Sequence, residues 1–256
     1  MKLKSYCWLS LWLFFVALFI GLGFWQLQRY YLKKNLIITY ETRIQAPFLK
    51  IQQLQAPKEK LLYHRLEAVG EIGRKPNLYW QNRYYQDRYG YHVLTPLWVA
   101  STQKYLLVDR GFVAQLPTVN QKDSLNGMQA ITGIIYYPDK AGFILGSAHS
   151  RNAAGQVLVQ TLNFSVIAQT LKASVYPFIL YIQSPLEADK GYSWPLSAQK
   201  IAQNNRQELS FFGTITPPSR HLGYAVQWFA MALVLACLVV IARRPFHRSS
   251  AKRQNK

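Results

Sequence analysis

The sequence predicts an α+β membrane protein: two transmembrane helices flank a mostly antiparallel β domain, barrel- or sandwich-like, with one packed helix. Three observations carry that prediction. Residues 6–24 and 222–241 are runs without a single charged side chain, each long enough to cross a hydrocarbon core of about 30 Å as a helix. Between them lie short segments rich in β-branched and aromatic residues, separated by turn residues. One stretch in that region, 163–173, changes to helical periodicity.

Taken in order, Lys2 and Lys4 precede the first run, which resembles a secretory signal peptide only superficially. It is long for such a core, no Ala-x-Ala site follows, and Trp25–Arg29 is large and amphipathic, as at a membrane interface. An uncleaved helix is the expectation. Helix is expected to continue from Arg29 to about Leu54, with Pro47 and Pro57 bracketing its end. The β-rich core spans about 62–183, with strands in LYHRLEAVGEI, NLYWQNRYY, YHVLTPLWVA, KYLLVDRGFV, AITGIIYY, QVLVQTL and VYPFILYI. Turns are expected at Gly73–Pro76, Asp87–Gly90, Ser101–Gln103, Asn126–Gly127 and Pro138–Gly142. In 163–173, Phe164, Ile167, Ala168 and Leu171 share a helical face and Asn163 is placed to cap it. Residues 184–210 are polar, a linker back to the membrane at 222–241, and 242–256 form a basic tail.

Arg243, Arg244, Arg248, Lys252, Arg253 and Lys256 follow the second run and mark its end as cytoplasmic. Arg29, Lys33 and Lys34 argue the other way for the first run, but long loops translocate largely regardless of charge. Two spans with an inside C-terminus place residues 1–5 inside as well and 25–220 outside. In a bacterium this is a multi-pass protein of the cytoplasmic (inner) membrane with a periplasmic domain.

The chain has 30 Lys+Arg against 11 Asp+Glu, a net charge of +19. Such an excess suits anionic lipid, an acidic partner or an anionic ligand. Nucleic acid is not expected, because no RNP-like, zinc-finger or helix-turn-helix pattern accompanies it. The two cysteines, Cys7 and Cys237, fall in the hydrophobic runs, so the domain between them has no disulfide and no thiolate metal site. Histidines 64, 92, 149, 221 and 247 show no metal-binding spacing.

Hydrolase elbows, P-loops and dinucleotide fingerprints are missing from the sequence, so no enzyme is expected. Asp109 and Arg110 read as a pair fixing a tight turn near a strand end, Asp87 and Asp123 as turn caps. His64 and His92 read as hydrogen-bonded structural residues within strands, and His149 lies in a loop. The outer membrane boundary stands apart. There the end of the first span (Gly21, Gly23, Trp25, Gln26, Arg29) must lie level with the start of the second (Arg220, His221, Gly223, Tyr224, Gln227, Trp228). His221, Tyr224 and Trp228 follow at i, i+3 and i+7, and the three glycines permit close helix approach. An imidazole, flat aromatic walls and cations are what a haem needs. An aromatic interfacial belt with an incidental histidine is the alternative.

The blocks GLGFWQLQRYYLKK, YHRLEAVGEI, GYHVLTPL, LLVDRGFV and HLGYAVQWFAMA, in this order, resemble the Surfeit locus protein 1 family, assembly factors of haem–copper cytochrome c oxidases. The resemblance covers nearly the whole chain and is most specific in its first and last blocks. It implies the same two-helix, β-domain architecture and a role in inserting or stabilising haem a in oxidase subunit I. It also implies His221 as a proposed haem axial ligand, binding haem iron and no other metal, with Trp25, Gln26, Tyr224, Gln227 and Trp228 as neighbours of that site. Where the family commonly carries asparagine, this chain has Asp109, which leaves the function of that turn in doubt. Arg29 and Arg220 are our own candidates for propionate contacts. Expected partners are oxidase subunit I, a haem a synthase and membrane lipids. A homo-oligomer in which two copies share one haem stays open. So does the alternative of a scaffold that stabilises subunit I without binding haem.

Overall fold

The structure, a computed structural model, describes residues 2–54, 57–85, 87–117, 125–138, 147–182 and 217–243. The expected linker at 184–210, Asp123, all of the Pro138–Gly142 turn after Pro138 and the tail beyond Arg243 lie outside the described residues. The chain divides into two compact units, residues 1–36 with 215–256, and residues 37–214.

The first unit holds one whole helix and another up to Leu36. Helix α1 runs Lys2–Gln45 and helix α4 runs Pro218–Arg243. Both are long and apolar enough to cross a membrane. Their large side chains stay exposed: Leu13, Phe14 and Phe24 on α1 and Leu233, Val234 and Ile241 on α4 are all more than half accessible. Apolar surface of that extent is stable in lipid and not in water, so the two helices mark a membrane protein. At about 1.5 Å per residue, the 44 residues of α1 outrun any bilayer core. Helix α1 ends at Gln45 rather than near Leu54, because Pro47 disfavours helical geometry at Ala46.

The second unit contains the β domain. Its elements are β1 (Leu49–Lys50), α2 (Lys58–Leu61), β2 (Arg65–Ile72), β3 (Leu78–Tyr85), β4 (Arg88–Val99), β5 (Lys104–Val113), β6 (Gly127–Tyr136), β7 (His149–Arg151), β8 (Val157–Val159), α3 (Phe164–Leu171) and β9 (Val175–Ile182). Strands β2, β6, β9, β5 and β4 are joined in sequence, and β4 returns to β2, closing a five-stranded barrel. Strand β4 makes the closure possible by dividing one edge between two partners. Its first half, Arg88–Leu94, pairs with β3, while Trp98 pairs with Glu71 of β2. Pro96, which has no N–H to give, sits at the switch between them. Gly70 allows β2 to come this close, since a Cβ there would collide with the Trp98 carbonyl and with Leu97.

Alternation along the barrel strands produces two cores. Leu66, Ala68, Leu97, Leu106, Val108, Ile131, Ile135 and Leu180 fill the barrel interior. On the outer side, Leu78, Leu94, Leu107, Val157, Val159 and Ile179 are covered by Ile167 and Leu171 of α3. The predicted N-cap holds: Asn163 Oδ1 accepts from the Ser165 and Val166 amides at 3.1 and 3.3 Å. The antiparallel character is also as predicted, though β1–β2, β3–β8 and β5–β9 are parallel. The last of these requires the long crossover that α3 completes.

Strands β1 and β7 and helix α2 lie outside the sequence expectation, being too short to show periodicity. His149, expected in a loop, opens β7, and His64, expected in a strand, lies just before β2. Gly90 belongs to β4 rather than to the turn at Asp87.

The end of α1, from Ile37 onward, belongs to the second unit and is tied into the β domain within it. Arg43 donates through Nη1 to the Glu59 and Leu62 carbonyls, both at 2.7 Å. Arg65 donates to the Ala46 carbonyl at 2.9 Å, and Tyr40 packs edge-on against Tyr63.

Candidate functional site between the two membrane helices

Helices α1 and α4 must run antiparallel if both cross one membrane. The residue closing the first apolar run and the residue opening the second are then level, as expected. His221 Nδ1 lies 2.8 Å from Gln26 Oε1, across 195 positions of sequence. An amide oxygen can only accept, so with this geometry Nδ1 carries the hydrogen and donates it. Nε2 of His221 keeps its lone pair, and among the described residues no hydrogen bond to it is formed.

Below this pair the helices interlock through rings. The Phe19 and Trp228 ring centroids are 5.6 Å apart, and Phe24 meets Phe229 edge-on at 5.3 Å. The approach is set at Gly23, which is buried; a Cβ there would stand 2.6 Å from the Phe229 ring. Of the three glycines expected to allow close approach, only Gly23 does so. Gly21 and Gly223 have nothing within 4 Å of where a Cβ would be.

The covered stripe of α4 is His221, Ala225, Trp228 and Ala232, at i, i+4, i+7 and i+11. Tyr224 is not on it: 49% of the residue is accessible. Trp25 is likewise 48% accessible, and the Arg29 guanidinium lies over its indole at 5.7 Å. Arg220 and Gln227 are exposed. The structure thus joins His221 to Gln26 between the helices, sets Trp228 against Phe19 about two turns further along, and leaves Trp25, Arg29, Tyr224 and Arg220 on accessible surface.

A second polar cluster is buried inside the β domain. His92 Nδ1 is 2.7 Å from Asp109 Oδ2, and Asp109 Oδ1 accepts from the Gly111 amide at 2.9 Å. The expectation that Asp109 pairs with Arg110 to fix a turn is overturned. Asp109 lies inside β5, its partner is His92, and Arg110 points elsewhere, donating through Nη1 to Thr95 Oγ1 at 3.3 Å. Neighbours on a strand point to opposite faces, so Asp109 and Arg110 cannot share one. The His92 ring sits between the edges of Trp80 and Phe112. Arg83 stacks on Trp80 at 4.0 Å, and burial holds its guanidinium below the ordinary value while the Asp109 charge opposes that. With no open side, this cluster builds the fold. The pairing was findable in principle: counting back from the Ser101–Gln103 turn makes His92 and Asp109 diagonal neighbours on one face.

Among the described residues no three His, Cys, Asp or Glu side chains cluster as a metal site. A single imidazole suffices for a haem, whose porphyrin supplies the other four nitrogens. The donor set at the membrane helices fits that requirement: one ring anchored through Nδ1, with an Nε2 that makes no hydrogen bond among the described residues.

Comparison with known proteins agrees with the blocks found in the sequence. A profile described as the SURF1 family matches residues 13–233. A SURF1-like protein of Rickettsia prowazekii (strain Madrid E) is 26% identical over 227 residues, covering 87% of this chain and 84% of its own length. One from Rickettsia felis is 24% identical over 231 residues, 89% of this chain and 93% of that one. A SURF1-like protein of Monosiga brevicollis is 22% identical over 246 residues, 91% and 86% of the two chains.

Proposed function

This chain belongs to the SURF1 family, and we propose that it is a non-enzymatic assembly factor for haem–copper cytochrome oxidase. In this reading it holds haem a at the outer membrane interface and hands it to subunit I. The observation that carries the reading is His221, anchored through Nδ1 by Gln26 with Nε2 bare, at the level where the two apolar runs meet solvent. A bound haem would supply an iron needing one axial nitrogen, and His221 Nε2 is placed to give it. Further along the same two helices, Phe19 packs on Trp228 and Phe24 on Phe229, which holds α1 and α4 together. Arg29 and Arg220 sit on accessible surface at the same end of the two helices, where they would meet propionates.

Orientation belongs to the same proposal: both termini cytoplasmic and the β domain periplasmic, in the inner membrane of a bacterium. Subunit I is the receiving partner, and a membrane haem a synthase the supplier. Restoring a strain that lacks the protein tests the transfer step. The wild-type chain returns haem a to subunit I, whereas His221→Ala, inserted to the same level, leaves the oxidase haem-deficient. If His221→Ala restores full haem a content, the scaffold reading replaces this one.

A further inference from the structure

We infer that Gln26 is the positioning residue of the site, fixing His221 in the Nδ1–H tautomer so that Nε2 presents its lone pair to a metal-centred ligand. The inference deepens the proposed function and rests on it for the identity of that ligand.

Hydrogen-bond direction at Nδ1 decides the tautomer of His221. A neutral imidazole carries its proton on one nitrogen, and the partner of one ring atom determines what the other can do. In water the histidine side chain prefers the proton on Nε2, the form that cannot ligate through Nε2. Gln26 Oε1 at 2.8 Å from Nδ1 reverses that preference, because an oxygen acceptor demands N–H at Nδ1. The same bond fixes the ring's rotation, since the acceptor comes from the other helix.

What holds Gln26 in place is the helix contact itself. Gly23 stands one turn before Gln26 on α1, and its missing side chain lets Phe229 of α4 pack against the α1 backbone. Ala225, one turn after His221, is 2% accessible, so α4 closes on α1 at this level. A neutral amide also suits the depth better than a carboxylate would, because it orients the ring without bringing a charge to the edge of the hydrocarbon. In metal-binding histidines this outer partner is commonly a carboxylate, a backbone carbonyl or water, and its removal costs about 10- to 100-fold in affinity. Here the side-chain amide fills that place.

The test uses the full-length protein in detergent, without haem, labelled with nitrogen-15 at histidine. Subtracting the His221→Ala spectrum assigns His221 among the five histidines. With the ring neutral, the expected wild-type signal is a protonated Nδ1 and an unprotonated Nε2. Gln26→Leu keeps the bulk but removes the acceptor, and should move the proton to Nε2; Gln26→Glu keeps an acceptor oxygen and should leave it on Nδ1. A wild-type ring protonated on Nε2, or the same tautomer in wild type and Gln26→Leu, overturns the inference. Adding haem then separates the two proposals. If wild type binds haem and Gln26→Leu binds it about 10- to 100-fold more weakly, both stand. If wild type takes no haem while the tautomer follows Gln26 as expected, the haem-carrier reading fails and the positioning role stands.

Discussion

His92 Nδ1 and Asp109 Oδ2 lie 2.7 Å apart inside the β domain, with 2% and 1% of their side chains accessible. They stand on adjacent antiparallel strands, β4 and β5, where the register shifts between His92 and Leu94. Gly111, at φ 115°, turns its amide onto the other carboxylate oxygen of Asp109. This geometry is open to glycine and costly for other residues. His92 Nδ1 and Asp109 Oδ2 thus satisfy each other, while Gly111 satisfies Oδ1.

Removing His92 leaves Asp109 Oδ2 buried without the donor this bond supplies. His92→Ala should lower the unfolding free energy of the β domain by about 3 kcal/mol or more. Replacing both residues with apolar side chains of similar volume should cost less than the single change. Denaturant unfolding of the three variants in detergent checks the order. A single variant as stable as wild type would mean that the pair contributes nothing.

The helix pair has a comparable point of control at Gly23. Leucine there would drive into the Phe229 ring, an overpacking that costs about 1–3 kcal/mol. Gly21→Leu is the matched control, since nothing lies near that position. Thermal unfolding in detergent should show a lower midpoint for the first and an unchanged one for the second.

A pH dependence follows from His64. Burial, and then the nearby Arg43 charge, hold its imidazole below the ordinary value of 6.5, and its Nδ1 has no hydrogen-bond partner among the described residues. The unfolded chain therefore binds a proton before the folded one does. Stability is unaffected well above the ordinary value and declines as pH falls through it toward the lower folded value. The melting temperature should drop between about pH 8 and about pH 5, and His64→Gln should reduce that drop. An equal drop in both proteins would remove His64 from the account.

The fold was legible wherever a periodic signal was long. The uncharged runs at 6–24 and 222–241 both lie within helices, and β5 and β9 match their predicted segments residue for residue. The helix of 163–173 shows its cap and buried face as expected. Barrel closure was not legible, because it depends on β4 sharing one edge between β3 and β2, a register that no local pattern encodes. At the site, His221 was legible from its place at the head of an uncharged run. Its bond to Gln26 was not, because a sequence does not give the rotation of one helix against another. The same limit explains why Gly21, Gly23 and Gly223 looked alike while only Gly23 makes the contact. Asp109 was misassigned for a simpler reason: its sequence neighbour Arg110 was the obvious partner, and strand alternation sends the two apart.

The central claim is that His221 is the haem ligand of this chain, and an optical spectrum tests it most directly. The protein and its His221→Ala variant would each be co-expressed with a haem a synthase and purified in detergent. The account predicts a Soret band in the wild-type protein that is lost in the variant, with both folded and membrane-inserted. Equal bands in the two would contradict the ligand assignment. No band in either would contradict haem carriage itself and leave the chain a scaffold for subunit I.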